Sequence, residues 1–80
     1  MSDTREELER ELTKLLSSVR LRLSSKDDDF IAELIDNREY ALALEVTVDA
    51  FAKGNLVFTR AEIEVIEALA RKMDVKLPTG

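Results

Sequence analysis

Residues 38–53 read REYALALEVTVDAFAK, and this stretch decides the fold. On a helical wheel its apolar side chains leave only a narrow charged strip, which contains Glu45, Asp49 and Lys53. A helix that is apolar nearly all round lies at the centre of a domain. Residues 46–48 are β-branched and weakly favour a strand, but the alanine-rich context and the 3.6-residue period outweigh that preference. The stretch therefore predicts a central helix over about residues 38–53.

A leucine-rich stripe precedes this segment and predicts a first helix over about residues 4–23. The six apolar side chains of the stripe, beginning at Leu8, are spaced by 4, 3, 1, 3 and 4 residues. That spacing is helical and differs from the alternation of a strand. Leu21 points away from the stripe, and two interpretations of it are open. It packs beneath a neighbouring loop, or it contacts a partner.

An acidic run introduces a short second helix, predicted over about residues 28–36, after a break at residues 24–26. Asp28 is the expected N-cap, because negative charge is favoured beside the free N–H groups of a helix start. Asp36 and Glu39 are expected to form the capping box of the third helix. The apolar face expected for the second helix consists of Phe30, Ile31, Leu34 and Ile35.

Three local signals agree on the start of a fourth helix, predicted over about residues 60–73. Thr59 and Glu62 have the spacing of a capping box. Phe58 before the cap and Ile63 within the first helical turns have the spacing of a hydrophobic staple. Ile63 is therefore expected to open the buried stripe of this helix.

Length and composition agree with these segments. The chain has 80 residues, which is enough for one domain, and it is 45% apolar and 36% charged. We therefore predict an all-α fold, a compact four-helix bundle of short helices that forms a single domain over residues 1–80. Without cysteine there are no disulfides, and neither a signal segment nor a membrane span is visible, so a cytoplasmic protein is expected.

The residues that most often carry catalysis are missing. The chain has neither histidine nor cysteine, which removes the commonest general base and the soft metal ligands. Its two glycines, Gly54 at the expected left-handed end of the third helix and Gly80, cannot form a phosphate loop. Residues 27–29 lack the glycine and the spaced carboxylates of a calcium loop. We expect no enzyme activity, no cofactor and no metal site.

The net charge of -5 is confined to the middle third of the chain. Residues 27–54 hold eight acidic and two basic side chains, a balance of -6, whereas residues 1–26 and 55–80 are nearly neutral. Such a surface repels phosphate, so nucleic acid and anionic membrane are disfavoured and a basic protein partner is expected. A helical DNA-binding regulator is the least favoured alternative, and it would use the basic residues near two helix ends. These are Arg20, Arg22, Lys26, Arg71, Lys72 and Lys76.

The candidate partner-binding residues are the acids of the middle third and one tyrosine. They are Asp27, Asp28, Asp29, Glu33, Asp36, Glu39, Tyr40, Glu45 and Asp49. Helix capping and solubility are an alternative explanation of the acids, but they account poorly for Glu45 and Asp49, a like-charged pair four residues apart. Tyr40 also has two interpretations. It is a core residue with its hydroxyl at the surface, or an aromatic anchor of the kind enriched among binding hot spots.

Three stretches resemble the small helical immunity proteins of bacterial polymorphic toxin systems, and the nearest groups are the MafI family and related immunity proteins of contact-dependent growth inhibition. The stretches are residues 31–45 (IAELIDNREYALALE), 56–63 (LVFTRAEI) and 68–75 (ALARKMDV). Arg38 stands where such relatives often have glycine. The resemblance implies a dedicated inhibitor that binds a toxin domain and blocks it. Toxins of such systems are often nucleases, whose active-site clefts are basic.

Charge and resemblance together predict an immunity protein, or antitoxin. We expect it to bind and neutralise a cognate toxin domain, a cationic nuclease, by occluding that domain with an acidic surface. The alternative is a small acidic adaptor or regulatory subunit that binds another protein. Both functions depend on protein–protein interaction and need no chemistry from the chain itself.

Overall fold

The computed structural model describes residues 4–77, which form four α-helices and one 3₁₀ turn. The helices are α1 (Thr4–Val19), α2 (Ser25–Asp36), α3 (Tyr40–Lys53) and α4 (Arg60–Met73), and the 3₁₀ turn η1 (Arg20–Arg22) follows α1. No strand occurs within the described residues. The predicted all-α four-helix bundle is confirmed.

α3 packs against α1, α2 and α4, and α1 likewise packs against the other three helices. Ala43, Leu44 and Phe51 of α3 are at most 1% exposed. One side of α3 is nevertheless open, because Leu42 is 42% exposed and the charged strip faces solvent. The core is completed by apolar side chains of the other three helices, Leu8, Leu12, Leu15, Leu16, Val19, Ile31, Leu34, Ile35, Ile66, Leu69 and Ala70.

The first helix is shorter than predicted, and its end leaves one leucine exposed. α1 ends at Val19, and residues 20–22 tighten into η1. Leu21 is 98% exposed in this turn. The interpretation that Leu21 packs beneath a neighbouring loop is therefore wrong, and contact with a partner stays a prediction.

α2 begins three residues earlier than predicted, because Ser24 caps it in place of Asp28. Ser24 has an extended backbone, and its hydroxyl accepts a hydrogen bond from the N–H of Asp27 at 3.1 Å. Asp27 and Asp28 consequently lie in the first helical turn, where their charge still complements the positive end of the helix dipole. The polar run over residues 24–29 offers several possible caps, so local sequence alone does not choose among them.

α2, α3 and α4 each end in a left-handed turn. Arg38, Asn55 and Asp74 have φ angles of 62°, 54° and 54°. After each of them, the N–H of the next residue donates to the carbonyl five residues earlier, at 2.8–2.9 Å. This is the Schellman motif, which satisfies carbonyls at a helix end. Gly54, the expected left-handed residue of α3, has φ of -90°, and Asn55 takes that role.

The turn between α2 and α3 is built without the predicted capping box. Glu39 is the N-cap of α3, but its side chain makes no capping hydrogen bond. The backbone bonds around Arg38 close the turn, so the carboxylates of Asp36 and Glu39 stay exposed. Because the connection is so short, α2 and α3 pack against each other as a helical hairpin.

A partly buried ion pair joins η1 to the start of α4. Glu62 is 5% exposed, and its carboxylate accepts hydrogen bonds from the Arg22 guanidinium, the Ser18 hydroxyl and the N–H of Thr59. The Thr59 hydroxyl accepts in return from the N–H of Glu62, which completes the predicted capping box. The Arg22 guanidinium, helped by the other donors, lowers the pKa of Glu62 from 4.5 to about 2, although burial opposes the shift.

Arg22 also holds the linker between α3 and α4. Its guanidinium donates to the Val57 carbonyl at 3.1 Å and lies 5.5 Å from the ring centroid of Phe51. Phe51 stacks on Phe58, with ring centroids 3.9 Å apart. We name this cluster the Arg22 clamp, and its side chains are those of Ser18, Arg22, Phe51, Phe58 and Glu62.

The buried stripe of α4 starts one residue earlier than predicted. Ile63 is 42% exposed, whereas Glu62 beside it is buried. The physical reason is the clamp, because the Arg22 guanidinium and the Ser18 hydroxyl hold the Glu62 carboxylate on the inner side of the helix. Farther along α4, Ile66 and Leu69 are buried as predicted.

Candidate partner-binding surface

Three exposed carboxylates follow one side of α2. Asp29, Glu33 and Asp36 are separated by four and three residues, which places them on the same face of the helix. All three are exposed, and no ion pair or hydrogen bond within residues 4–77 engages their carboxylates. Like charges at these spacings repel each other, so the helix gains no stability from them.

α3 adds Glu45 and Asp49, which are four residues apart and exposed. Asp49 pairs with Lys53 at 3.0 Å, but the two side chains are 59% and 78% exposed. A pair this exposed contributes about 0–1 kcal/mol to stability. We call these five carboxylates of α2 and α3 the acidic hairpin surface, and its members are Asp29, Glu33, Asp36, Glu45 and Asp49.

Two predicted site residues that are distant in sequence meet in a groove between α2 and α3. Asp27 at the start of α2 and Asp49 near the end of α3 both line an open groove of about 460 Å³. We call it the α2–α3 groove, and the rest of its lining is Phe30, Val46, Ala50, Lys53 and Gly54. Phe30 is 47% exposed. The groove therefore combines two carboxylates with an accessible aromatic ring and aliphatic side chains.

Two of the predicted acidic residues belong neither to the acidic hairpin surface nor to this groove. Asp28 pairs with Arg20 at 2.9 Å, and the Asp28 side chain is 21% exposed. This pair ties η1 to α2, so Asp28 contributes to the fold. Glu39 is exposed in the turn that joins α2 to α3, at the opposite end of the hairpin from the first turn of α2.

Tyr40 occupies a core position. It is 8% exposed and belongs to the main hydrophobic cluster. Of the two interpretations of this residue, the structure supports the one that places its ring in the core. A partner would touch little of the ring in this conformation.

Sequence reasoning missed the apolar part of the α2–α3 groove. The sequence predicts Phe30 on the buried face of α2, but Ile31, Leu34 and Ile35 fill that face and are 1–7% exposed. A signal was present, because those three residues already have the complete i, i+3, i+4 spacing of a narrow buried stripe. Phe30 is the extra apolar residue beside it. Val46 on α3, three residues before Asp49, supplies the facing wall.

The basic residues that a DNA-binding protein would need are partly engaged within the fold. Arg20 pairs with Asp28, and Arg22 with Glu62. Lys72 pairs with Glu11 at 3.1 Å. Half of the basic set considered for DNA binding thus has an acidic partner in the chain, and the Arg22–Glu62 pair is the most buried of the three.

The described residues give no sign of a metal centre or of a membrane span. Within residues 4–77, no group of three or more potential ligand side chains could hold a metal ion. No helix in that part of the chain combines the length and the apolar character needed to cross a bilayer. The chain matches no protein-family model, no curated protein and no solved structure. A functional interpretation therefore depends on the charge and the geometry of the surface.

Proposed function

We propose that this chain is an immunity protein that binds a cognate toxin domain, a cationic nuclease, and neutralises it with the acidic hairpin surface. The observation that carries the proposal is the absence of any structural use for these carboxylates. Four of the five have no partner within residues 4–77, and the fifth, Asp49, has only an exposed pair. Their mutual repulsion costs stability in the free chain and becomes attraction beside a basic partner.

The proposed mechanism is electrostatic capture followed by occlusion. A nuclease cleft that binds phosphate presents lysine and arginine, and an acidic protein surface competes for the same groups. Exposed carboxylates at the rim raise the association rate and make it depend on salt. Carboxylates that become desolvated and paired in the complex slow its dissociation. Inhibition needs no chemistry in this scheme, in keeping with a chain that lacks histidine and cysteine.

The turn between α2 and α3 supports the resemblance to the small helical immunity proteins. Arg38 has φ of 62°, a left-handed conformation that glycine adopts without steric cost. Relatives in that group often have glycine at the equivalent position. The backbone geometry of the turn is therefore the one that such a glycine would serve, although this chain has an arginine.

The test first looks in the neighbouring reading frame for a large secreted protein that ends in a small basic domain, and then co-expresses that domain with this chain in a bacterial host. We expect the host to survive, its nucleic acid to stay intact, and the two proteins to purify together. A folded variant with Glu45→Lys and Asp49→Lys is the control, and it should protect less well. Growth arrest in the presence of the folded chain, without co-purification, would contradict the proposal. An adaptor would co-purify with its partner but give no protection.

A further inference from the structure

Two open grooves of the molecule differ in whether their carboxylates are free. The groove between α1 and α4, of about 350 Å³, contains Glu11 and Glu62. Glu11 is paired with Lys72, and Glu62 is held in the Arg22 clamp. In the α2–α3 groove, Asp27 has no ion pair within residues 4–77, and Asp49 has only its exposed pair with Lys53. Of these two grooves, the α2–α3 groove has the carboxylates that are less engaged within the chain, so it is the better candidate to accept a cation from outside.

We propose that the α2–α3 groove binds one arginine side chain of a protein partner. This inference rests on the proposed function for the identity of the partner, and it adds the residue type by which that partner is recognised. The groove has a carboxylate on each helix, Asp27 on α2 and Asp49 on α3, with the exposed ring of Phe30 and the side chain of Val46 as further lining. Arginine is the side chain whose chemistry matches all of these groups.

The match has three parts. A guanidinium carries five N–H donors in a planar fork, so it can donate to two carboxylates at once. Its face stacks on an aromatic ring, and Phe30 offers one that is 47% exposed. Its aliphatic stem packs against apolar walls, which Val46 and Ala50 provide. Lysine fits less well, because its ammonium is a compact and strongly hydrated charge that lacks the planar fork.

Lys53 occupies part of this site in the free chain. Its ammonium lies 3.0 Å from the Asp49 carboxylate, and both side chains are largely exposed. An exposed pair of this kind is weak, so an incoming guanidinium displaces it at little cost. Lys53→Met should therefore strengthen binding of an arginine probe by roughly twofold to fivefold.

The test uses a blocked Gly-Arg-Gly tripeptide as the probe, titrated into the isotopically labelled full chain and followed by nuclear magnetic resonance. We expect weak, saturable shifts of the Phe30, Val46 and Ala50 amides, and smaller shifts with Gly-Lys-Gly. Asp27→Asn with Asp49→Asn should weaken binding roughly tenfold. The matched control is Glu33→Gln with Asp36→Asn, which removes the same amount of charge but leaves every residue of the groove unchanged. It should change binding by less than about twofold.

A second pair of variants tests the aromatic contact. Phe30→Leu keeps an apolar side chain but removes the ring, and it should weaken the arginine probe roughly threefold. Leu42→Ala changes an exposed leucine outside the groove and should have no effect. Circular dichroism and melting curves are recorded for each variant to check that the fold is kept.

The outcomes separate this inference from the proposed function. Shifts spread equally over Glu33, Asp36 and Glu45, or equal binding of the arginine and lysine probes, would overturn the arginine site. Saturable binding in the groove by a chain that fails to protect a host would leave the site standing and overturn the immunity function. Protection that survives the Asp27→Asn and Asp49→Asn change undiminished would overturn the role of the groove and leave the immunity function standing.

Discussion

The Arg22 clamp and the acidic hairpin surface use carboxylates in opposite ways. In the clamp, Glu62 is 5% exposed, and three donors satisfy it. On the hairpin surface, Glu33 is exposed and has no partner within residues 4–77. A buried charge destabilises a fold unless it is paired, whereas an exposed charge needs no partner. Burial and pairing thus separate the acids that hold this fold from those available to a partner, and charge density in the sequence does not.

The largest expected effect is the difference in stability loss between replacing a phenylalanine of the clamp and replacing one of the α2–α3 groove. Phe51→Ala in the clamp, and Leu44→Ala beside it in α3, should each lower the free energy of unfolding by about 2–5 kcal/mol, because both side chains are at most 1% exposed. Phe30→Ala in the α2–α3 groove should cost only about 1 kcal/mol, because that ring is half exposed. Urea titration measures all three. Losses below about 1 kcal/mol at both α3 sites would mean that α3 is a surface helix.

The second largest difference in stability is expected between replacement of Glu62 in the clamp and replacement of Glu33 on the acidic hairpin surface. Glu62→Ala should destabilise the fold by about 3 kcal/mol, because it removes a buried partner of Arg22 and one half of the capping box. Glu33→Ala should change stability by less than about 0.5 kcal/mol, because the Glu33 side chain is exposed. Urea midpoints of the two variants against the parent chain give the difference. Equal losses would remove the distinction between the regions.

The clamp should also make the stability of the fold depend on pH. The pKa of Glu62 is about 2 in the folded chain, below its ordinary value of 4.5, because Arg22 and the other donors favour the charged form. The stabilisation is therefore complete above pH 4.5 and is lost as the pH falls toward 2. The loss should be of the order of 3 kcal/mol. Urea unfolding of the parent chain and of Glu62→Gln should converge at low pH; a constant gap between them would contradict this.

The smallest effect on stability is expected at Leu21. Leu21→Ser should change the free energy of unfolding by less than about 0.5 kcal/mol, because 98% of the side chain is already exposed. Leu15→Ser is the matched control, since Leu15 is 4% exposed and its replacement should be strongly destabilising. Thermal melts distinguish the two variants. A large loss at Leu21 would show that the turn after α1 packs in a way that this exposure does not allow.

The features predicted most accurately from the sequence are those that depend on residues close together in the chain. The bounds of α4 and the capping box of Thr59 and Glu62 follow from contacts three residues apart, so the local pattern contains them. The start of α2 was misplaced because several adjacent polar residues can cap a helix, and Ser24 is the one that does. The end of α3 at Lys53 agrees with the prediction, but the left-handed residue after it is Asn55 in place of Gly54, because asparagine, like glycine, tolerates that region.

Features that join distant parts of the chain could not be predicted. Arg22 and Glu62 are separated by 40 residues, and nothing in the sequence around either residue indicates that the two side chains pair. The same holds for the candidate surface. Asp27 and Asp49 were both candidates, but their meeting in a groove with Phe30 depends on how α2 and α3 align in the hairpin.

The central claim is that the acids left free by the fold form the surface that the toxin domain contacts. Its most direct test is calorimetric binding of the toxin domain across salt concentrations. Two charge-reversal groups are compared, residues 27–29 together and Glu45 with Asp49. Glu64 and Glu67, exposed acids on α4, are reversed as the control. Circular dichroism first establishes that each variant is folded, which matters most for residues 27–29 because Asp28 pairs with Arg20.

The two hairpin groups should lower the affinity and flatten its dependence on salt. Any carboxylate that is desolvated and paired in the complex should account for about 2–5 kcal/mol. The control on α4 should leave both quantities unchanged. If both hairpin groups bind the toxin domain with unchanged affinity and salt dependence, while reversal of Glu64 and Glu67 abolishes binding, the toxin contacts a different face and the central claim is wrong.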